Sequence, residues 1–147
     1  MLMRDVRAVP FQPWHLKLFE HPEENKMLDP ETRALVYRST FGVTLLVGTT
    51  ILGALVISPL WKGVAEVAFV PGPGSFEHRL KLVRYIKKWD NVVMSALKLR
   101  RLQTTVLASN QKHRRFIECF GFNYEGSLRF YSPKGDTMAM YAKVIDE

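Results

Sequence analysis

A loop rich in glycine and proline, Pro-Gly-Pro-Gly-Ser-Phe at residues 71–76, separates an apolar strand-like segment from a basic helix-like one. Free backbone N–H groups in such a loop, together with the positive end of the next helix dipole, form a site for an anion. The prolines bring no N–H group. The remaining donors are the amides of Gly72, Gly74, Ser75 and Phe76, with the Arg79 guanidinium beside them. The spacing predicts a reduced phosphate site or, alternatively, a tight connection that holds no ligand.

Asn110 stands between a short apolar strand, which ends at Leu107, and a basic helical turn. Gly121 follows eleven positions later at the predicted helix exit, where a glycine adopts positive φ at little cost. Asn110 is suited to bind a ligand or, equally, to act as the helix N-cap, a role for which Ser109 competes.

Six basic residues surround this turn in the sequence. They are Lys112, His113, Arg114 and Arg115 after Asn110, and Arg100 and Arg101 on the strand before it. The cluster predicts either recognition of phosphate, including that of nucleic acid, or a solvated helix face. Aromatic residues do not alternate with the basic ones, so the sequence offers little support for binding of a single nucleic-acid strand.

The chain resembles the GCN5-related N-acetyltransferases in both segments. In that family a strand is followed by Asn, by a helix that carries an aromatic residue, and by Gly-Phe at the helix exit, as in Asn110 to Phe122 here. The strand Val64–Val70 resembles the family strand that ends at the coenzyme A pyrophosphate loop. The usual family loop is Gln/Arg-x-x-Gly-x-Gly/Ala, whereas this chain has a shorter form with two prolines. The resemblance implies the mixed α/β acyltransferase fold of that family.

The resemblance also implies an acetyl-coenzyme A-dependent N-acetyltransferase, in which an amine attacks the thioester directly. Glu66 matches a strand Glu that is the general base in some members, where it takes a proton from the substrate ammonium. The alternatives are that Glu66 faces solvent or pairs with a lysine. The implied coenzyme contacts are Phe69, Val70, Gly72, Gly74, Ser75, Phe76, Arg79, Asn110 on the pantetheine arm, and Arg114 near the coenzyme phosphate.

Many members of the family carry a Tyr seven residues after the Asn as general acid for the thiolate. Ile117 stands there in this chain and cannot donate a proton, and no spacing chooses among Tyr124, Tyr131 and Tyr141 as replacements. The altered loop and Ile117 favour a second hypothesis, a catalytically degenerate module for binding or assembly. The same features resemble acetyltransferase-like proteins of T7-like bacteriophages, which implies protein partners and a virion-associated role.

The 147 residues carry a net charge of +7, with 47% hydrophobic and 24% charged residues, which indicates one globular domain over residues 1–147. The charge favours an acidic partner, such as a nucleotide phosphate, nucleic acid or an anionic protein. The single cysteine, Cys119, excludes an internal disulfide and is expected to be a buried small hydrophobe. The four histidines show no metal-ligand spacing. The first twenty residues contain no apolar signal segment, so a cytoplasmic location is expected, or a virion if a phage encodes the chain.

No charged residue interrupts Phe41–Trp61, a run long enough to span a bilayer. Its many β-branched residues, the turn signal Gly48-Thr49-Thr50 and the closing Ser58-Pro59 favour two buried strands instead. A membrane partner is therefore not expected, and a small membrane-anchored protein is the third functional hypothesis.

The remaining patterns predict the order β-α-α-β-β-β-α-β-α-β-β. Two short helices are expected at Pro13–Phe19 and Asp29–Arg38, before a hairpin over about Val43–Ile57. A longer helix capped by Ser75 is expected to bury one apolar face. That face consists of Phe76, Leu80, Val83, Ile86 and Trp89. A strand, the Asn110 helix and a hairpin over Tyr124–Val144 complete the predicted sheet domain.

Overall fold

A computed structural model describes residues 5–12 and 41–145 of the chain. The short helices expected at Pro13–Phe19 and Asp29–Arg38 lie outside the described residues. The described strands are β1 (Val6–Pro10), β2 (Phe41–Val47), β3 (Thr50–Trp61), β4 (Val64–Pro71), β5 (Arg101–Leu107), β6 (Asn123–Leu128) and β7 (Met138–Val144). The described helices are α1 (Arg79–Ala96) and α2 (Gln111–Cys119). Their order along the chain agrees with the predicted one.

The seven strands form one mixed sheet in the order β1-β2-β3-β4-β5-β7-β6. β4 and β5 run parallel, whereas β1-β2, β2-β3, β5-β7 and β6-β7 are antiparallel pairs. The mixed α/β class predicted from the sequence is therefore confirmed. The described residues divide into two compact units, 5–12, 41–58 and 67–85 in the first and 59–66 and 86–145 in the second. The single domain over residues 1–147 stays a prediction.

In the first unit, the uncharged segment forms the predicted hairpin of two apolar strands. β2 and β3 pair from Phe41–Ile57 to Val47–Thr50, around a turn in which Gly48 has a φ of 61°. The strand does not close at Ser58-Pro59 as predicted, because β3 continues to Trp61. Its last three residues are exposed, and proline is tolerated where a strand borders solvent. No helix among residues 5–12 and 41–145 is long and apolar enough to cross a membrane.

Gly53 on β3 lies so close to β4 that no side chain fits there. A Cβ atom at Gly53 would lie 2.5 Å from the Val70 carbonyl oxygen and 2.6 Å from the Phe69 ring. Val70 and Ala54 are buried together, and Phe11 packs against them. The side chains of Phe69 and Val70, two of the expected coenzyme contacts, therefore contribute to packing within the first unit.

The buried stripe of α1 agrees with the predicted face only in part: Ile86 is buried as predicted, whereas Val83 and Trp89 are half-buried. The buried side chains of the helix are Leu82, Ile86, Asp90, Val93 and Met94. Phe76 and Leu80, which were expected in the buried face, are 77% and 70% exposed. Residues 73–78 form turns, so α1 begins at Arg79 instead of directly after Ser75, and Phe76 is not part of the helix. Leu80 points away from the buried face because it lies two positions, or about 200°, from Leu82.

β5 is the central strand of the second unit. It pairs with β7 along its whole length, from Arg101–Val144 to Leu107–Met138, and β7 in turn pairs with β6. α2 follows β5 and contains no buried residue, whereas Phe120 and Phe122, just beyond the helix, are buried. Cys119 is consequently exposed, not buried as predicted, because the apolar contacts of this segment begin after it.

Asp90 is an ionisable group inside the apolar stripe of α1. Only 1% of its surface is exposed, and neither carboxyl oxygen accepts a hydrogen bond in the described part of the chain. The nearest cation is the Lys143 ammonium on β7, 3.9 Å from Oδ2. Burial raises the pKa of Asp90 to about 7, and the attraction of Lys143 only partly opposes this change.

We expect Asp90 to contribute stability that falls as the pH rises from about 4 to about 7. The folded-state pKa of Asp90 lies above its unfolded value, so the stabilisation is complete below the unfolded pKa and is lost as Asp90 ionises in the folded protein. In urea titrations, Asp90→Asn should flatten this dependence by a few kcal/mol, because a tenfold difference in acidity between the folded and unfolded states corresponds to about 1.4 kcal/mol. The exposed Glu77→Gln is the control. Equal slopes in wild type and Asp90→Asn would contradict the assignment.

Candidate functional site

Glu66 is the last residue of β4 that pairs with β5, and it faces Gln103 across the parallel ladder. Gln103 Nε2 donates a hydrogen bond of 3.1 Å to Glu66 Oε1. The second carboxyl oxygen of Glu66 makes no hydrogen bond or ion pair with any described residue. The alternatives to catalysis are that Glu66 faces solvent or pairs with a lysine. Its partner among the described residues is Gln103, not a lysine. The carboxylate is half-buried and held by a neutral amide.

Arg101 continues this polar network along β5. Because side chains alternate along a strand, Arg101 and Gln103 lie on the same face, and Arg101 Nε donates to Gln103 Oε1 over 2.7 Å. Arg101 also binds Glu125 with both terminal nitrogens, at 3.1 and 2.6 Å, and this hydrogen bonding lowers the pKa of Glu125. Glu125 reaches Arg101 from a register shift in β6 between Tyr124 and Gly126. Four side chains of the second unit thus form one connected network.

The six basic residues grouped by the sequence do not form one rim. Arg100 and Arg101 stand at the beginning of β5, whereas α2 begins after its end, and a seven-residue strand is roughly 20 Å long. Arg101 is engaged by Gln103 and Glu125, and the Arg100 side chain lies against Gly63. The prediction that Arg100 and Arg101 share one phosphate-binding surface with the basic residues of α2 is therefore wrong.

The amides of the loop after β4 are mostly used inside the first unit. Gly72 N–H donates to the Leu52 carbonyl at 2.9 Å and Gly74 N–H donates to the Ile51 carbonyl at 2.8 Å, so the loop continues the pairing with β3. Ser75 N–H closes a turn on the Gly72 carbonyl at 3.2 Å. Three of the four amides expected to be free therefore have protein partners.

Phe76 and Glu77 supply the donors that remain in this loop. Their N–H groups make no hydrogen bond within the described residues, as is usual in the first turn of a helical segment. The Arg79 guanidinium lies 4.7 Å from the Phe76 ring and donates one hydrogen bond to the Phe76 carbonyl. The Ser75 hydroxyl caps nothing in the described part of the chain, contrary to prediction. The geometry therefore permits a smaller anion site, at the amides of Phe76 and Glu77 instead of those from Gly72 to Phe76.

Asn110 is the N-cap of α2. Its Oδ1 accepts a hydrogen bond of 3.1 Å from His113 N–H, and its carbonyl accepts the first helical bond from Arg114 N–H. Ser109 does not take this role. The side-chain nitrogen of Asn110 makes no hydrogen bond with the described residues, so the cap leaves one donor group for a ligand.

Arg114 joins α2 to the sheet. Its Nε donates to the Tyr141 hydroxyl at 3.0 Å, its Nη1 donates to the Ala108 carbonyl at 3.1 Å, and its guanidinium covers the Tyr124 ring at 5.0 Å. The hydrogen bond with Tyr141 raises the pKa of Arg114. The Tyr141 hydroxyl donates in turn to Glu118 Oε1 at 3.0 Å. The expected phosphate contact by Arg114 stays a prediction, but two of its donor groups already have protein acceptors.

The tyrosines considered as replacements for the missing general acid differ in their surroundings. Tyr141 is fully buried, and its hydroxyl is held between Arg114 and Glu118. Tyr124 is about half exposed and its hydroxyl bonds Ser127 at 2.6 Å, whereas Tyr131 is exposed in the loop between β6 and β7. Burial excludes Tyr141 from direct contact with a ligand. Among the three, Tyr124 and Tyr131 keep accessible hydroxyl groups.

The sequence did not predict Gln103 as the partner of Glu66, or Arg101 and Glu125 as the residues linked to Glu66 through Gln103. Arg101 and Gln103 are polar residues two positions apart on one strand, which is a visible signal for a shared face. Glu125 carries no such signal, because its position depends on the β6 register shift. Residues 5–12 and 41–145 contain no group of three side chains suited to bind a metal ion.

Comparison with protein-family models gives no match, and no curated protein matches the sequence. The fold is nevertheless shared with solved structures. A GNAT-family acetyltransferase from Bacillus anthracis superposes with a TM-score of 0.75 at 16% identity, over 97% of this chain and 96% of the other. A GCN5-related N-acetyltransferase from Brucella melitensis gives 0.75 at 19%, over 96% and 76%. A GNAT-family acetyltransferase from Elizabethkingia anophelis, solved with acetyl-CoA bound, gives 0.72 at 12%, over 96% and 99%. The chain therefore has the GNAT-like acyltransferase fold that the sequence predicted.

We expect Asn110→Ala to destabilise the chain by about 1 kcal/mol, because the N-cap acceptor for His113 N–H is lost. Asn110→Asp keeps an acceptor oxygen at the positive end of the helix and should retain most of the stability. Ser109→Ala should change the free energy of unfolding by less than about 0.5 kcal/mol. Urea unfolding of the three variants measures these differences. An Asn110→Ala variant as stable as wild type would show that the cap does not form.

Proposed function

We propose that this chain is an acetyl-coenzyme A-dependent N-acetyltransferase that acylates an amine by direct attack, with Glu66 as the general base. The observation that carries the proposal is the environment of Glu66 on β4 of an acyltransferase fold. One carboxyl oxygen is fixed by Gln103 and the other is without a described partner. A carboxylate in that state can accept the proton of a substrate ammonium, directly or through water.

The residues present can bind a coenzyme, but through fewer backbone amides than the sequence predicts. In the first unit, the amides of Phe76 and Glu77 and the Arg79 guanidinium are the donors suited to the pyrophosphate. The contact of Asn110 with the pantetheine arm stays an expectation of the family resemblance, and its side-chain nitrogen makes no hydrogen bond with the described residues. Acetyl-coenzyme A supplies the acetyl group as an activated thioester. Gly72, Gly74 and Ser75 shape the loop but do not supply free amides.

Glu66 prepares the amine for attack. An ammonium has no lone pair, so it must lose a proton before nitrogen can attack a carbonyl carbon. The proton passes to the free Glu66 oxygen, while the hydrogen bond from Gln103 keeps the carboxylate in place. Ile117 cannot donate a proton, so the departing thiolate takes its proton from Tyr124, Tyr131 or water in this proposal.

A second candidate function is a catalytically degenerate module for binding or assembly. Two observations favour it. The amides of Gly72, Gly74 and Ser75 are not available to bind a coenzyme, and the Tyr141 hydroxyl, which is bonded to Arg114 and Glu118, is not available as a general acid. The resemblance to phage proteins belongs to this candidate. Protein partners, a virion location and residence in a host cytoplasm are expectations of that resemblance.

We expect acetyl-coenzyme A to bind in the micromolar range, and Phe76→Pro to weaken binding about tenfold or more, since one charge-assisted hydrogen bond is lost. Phe76→Ala is the matched control, because it removes the ring and keeps the N–H group. Isothermal titration calorimetry with folded variants measures both. Equal weakening in the two variants would remove the Phe76 amide from the site. No heat from wild type at millimolar ligand would leave the second candidate.

We expect Glu66→Gln to lower kcat/KM for an amine acceptor about 10²–10⁴-fold, with little change in coenzyme affinity, because only the proton acceptor is lost. The acceptor is first chosen by following thiol release with polyamines, lysine peptides and free peptide N-termini. Asp5→Asn, which changes an exposed carboxylate outside the network and outside the proposed coenzyme contacts, should retain full activity. Unchanged transfer by Glu66→Gln would exclude Glu66 as the base.

A further inference from the structure

We propose that Gln103 is the positioning residue for Glu66, and that it separates the Glu66 carboxylate from the Arg101 guanidinium. The inference rests on the proposed function for its chemistry. Its structural part concerns four side chains of the second unit, Glu66, Gln103, Arg101 and Glu125. They are connected in that order by hydrogen bonds of 3.1, 2.7 and 2.6 Å.

The orientation of the Gln103 amide follows from its two neighbours. A guanidinium only donates hydrogen bonds and an ionised carboxylate only accepts them. Arg101 must therefore meet the Gln103 oxygen, and Glu66 must meet the Gln103 nitrogen. The reverse orientation would face a donor with a donor and an acceptor with an acceptor, so it would lose both bonds. Gln103 is locked in one orientation by charges on both sides.

Arg101 does not bind Glu66 directly, because its donors are engaged by other groups. Glu125 holds both terminal nitrogens of Arg101, and Gln103 holds Nε. A bidentate carboxylate contact of this kind fixes the plane of the guanidinium. Among the described residues, Arg101 is the charged group that hydrogen-bonds Gln103 besides Glu66, and Glu125 is the charged group that hydrogen-bonds Arg101. The position of Arg101 is thus set before any ligand arrives.

The interposed amide has a chemical consequence for Glu66. A direct ion pair with arginine would strongly stabilise the ionised carboxylate and occupy both of its oxygens, which would make it a poor proton acceptor. One hydrogen bond from a neutral amide fixes a single oxygen and leaves the second for a proton. With both acids ionised, the network of two carboxylates and one guanidinium carries one net negative charge, which suits a cationic amine as acceptor.

The test compares Gln103→Met, which keeps the approximate volume and removes both hydrogen bonds, with Gln103→Glu, which keeps the acceptor for Arg101 and places a second carboxylate beside Glu66. Thr105→Val, on the same face of β5 two residues along, is the control. The first readout is the carboxyl carbon resonance of Glu66 in protein labelled with ¹³C-glutamate, assigned by its absence in Glu66→Gln. We expect the midpoint to be higher in Gln103→Met than in wild type, because the hydrogen bond to the ionised carboxylate is lost, and higher still in Gln103→Glu, because a like charge is added.

The second readout is kinetic. In Gln103→Met, kcat should fall about tenfold and the acid limb of kcat/KM should move to higher pH, while coenzyme affinity and Thr105→Val stay at wild-type values. A purely structural role would change unfolding temperature without moving either pH midpoint. Unchanged midpoints and kcat in a folded Gln103→Met, with transfer still dependent on Glu66, overturn the positioning role alone. If acetyl transfer does not depend on Glu66, the proposed function fails. Equal resonance midpoints in wild type and Gln103→Met would overturn the role of Gln103, whatever the outcome of the transfer assay.

Discussion

The parallel ladder between β4 and β5 spans three residue pairs, and the candidate chemistry of this chain depends on its register. The ladder places Glu66 opposite Gln103, and strand alternation then brings Arg101 to the same face. A slip of one residue would turn Glu66 to the other face of the sheet and separate it from both partners. β5 itself is held in the sheet by its full-length pairing with β7. Packing and backbone pairing thus determine where the carboxylate is held.

Local patterns predicted the fold because each element carries its own signal. The β-branched run around Gly48, the Asn110 cap and the turn between β6 and β7 are read from neighbouring residues. The errors arise where distant residues decide. The amides of Gly72 and Gly74 are consumed by carbonyls about twenty residues earlier in sequence, and Glu125 reaches Arg101 only through a register shift. The exposed side of α1 was misassigned because the turn before Arg79 could not be separated from the helix by periodicity.

The phosphate loop shows how one set of hydrogen bonds limits another. Extending β4 onto β3 through Gly72 and Gly74 fixes the loop and satisfies backbone groups that would otherwise be buried without partners. The same bonds remove these amides from any ligand. A rigid connection and a complete anion site therefore need the same donors, and in this chain most of them form hydrogen bonds within the protein. The amides of Phe76 and Glu77 are the donors that remain available in the loop.

α2 is attached to the second unit mainly by polar contacts. No residue of this nine-residue helix is buried, and its side-chain hydrogen bonds to the rest of the unit run from Arg114 and Glu118 to Tyr141 and Ala108. Apolar burial normally provides most of the stability of a short helix in a protein. We therefore expect the amides of α2 to exchange with solvent before those of β5 and β7. Salt screens exposed polar contacts more than apolar ones, so the attachment of α2 depends more on ionic strength than the apolar packing of the sheet does.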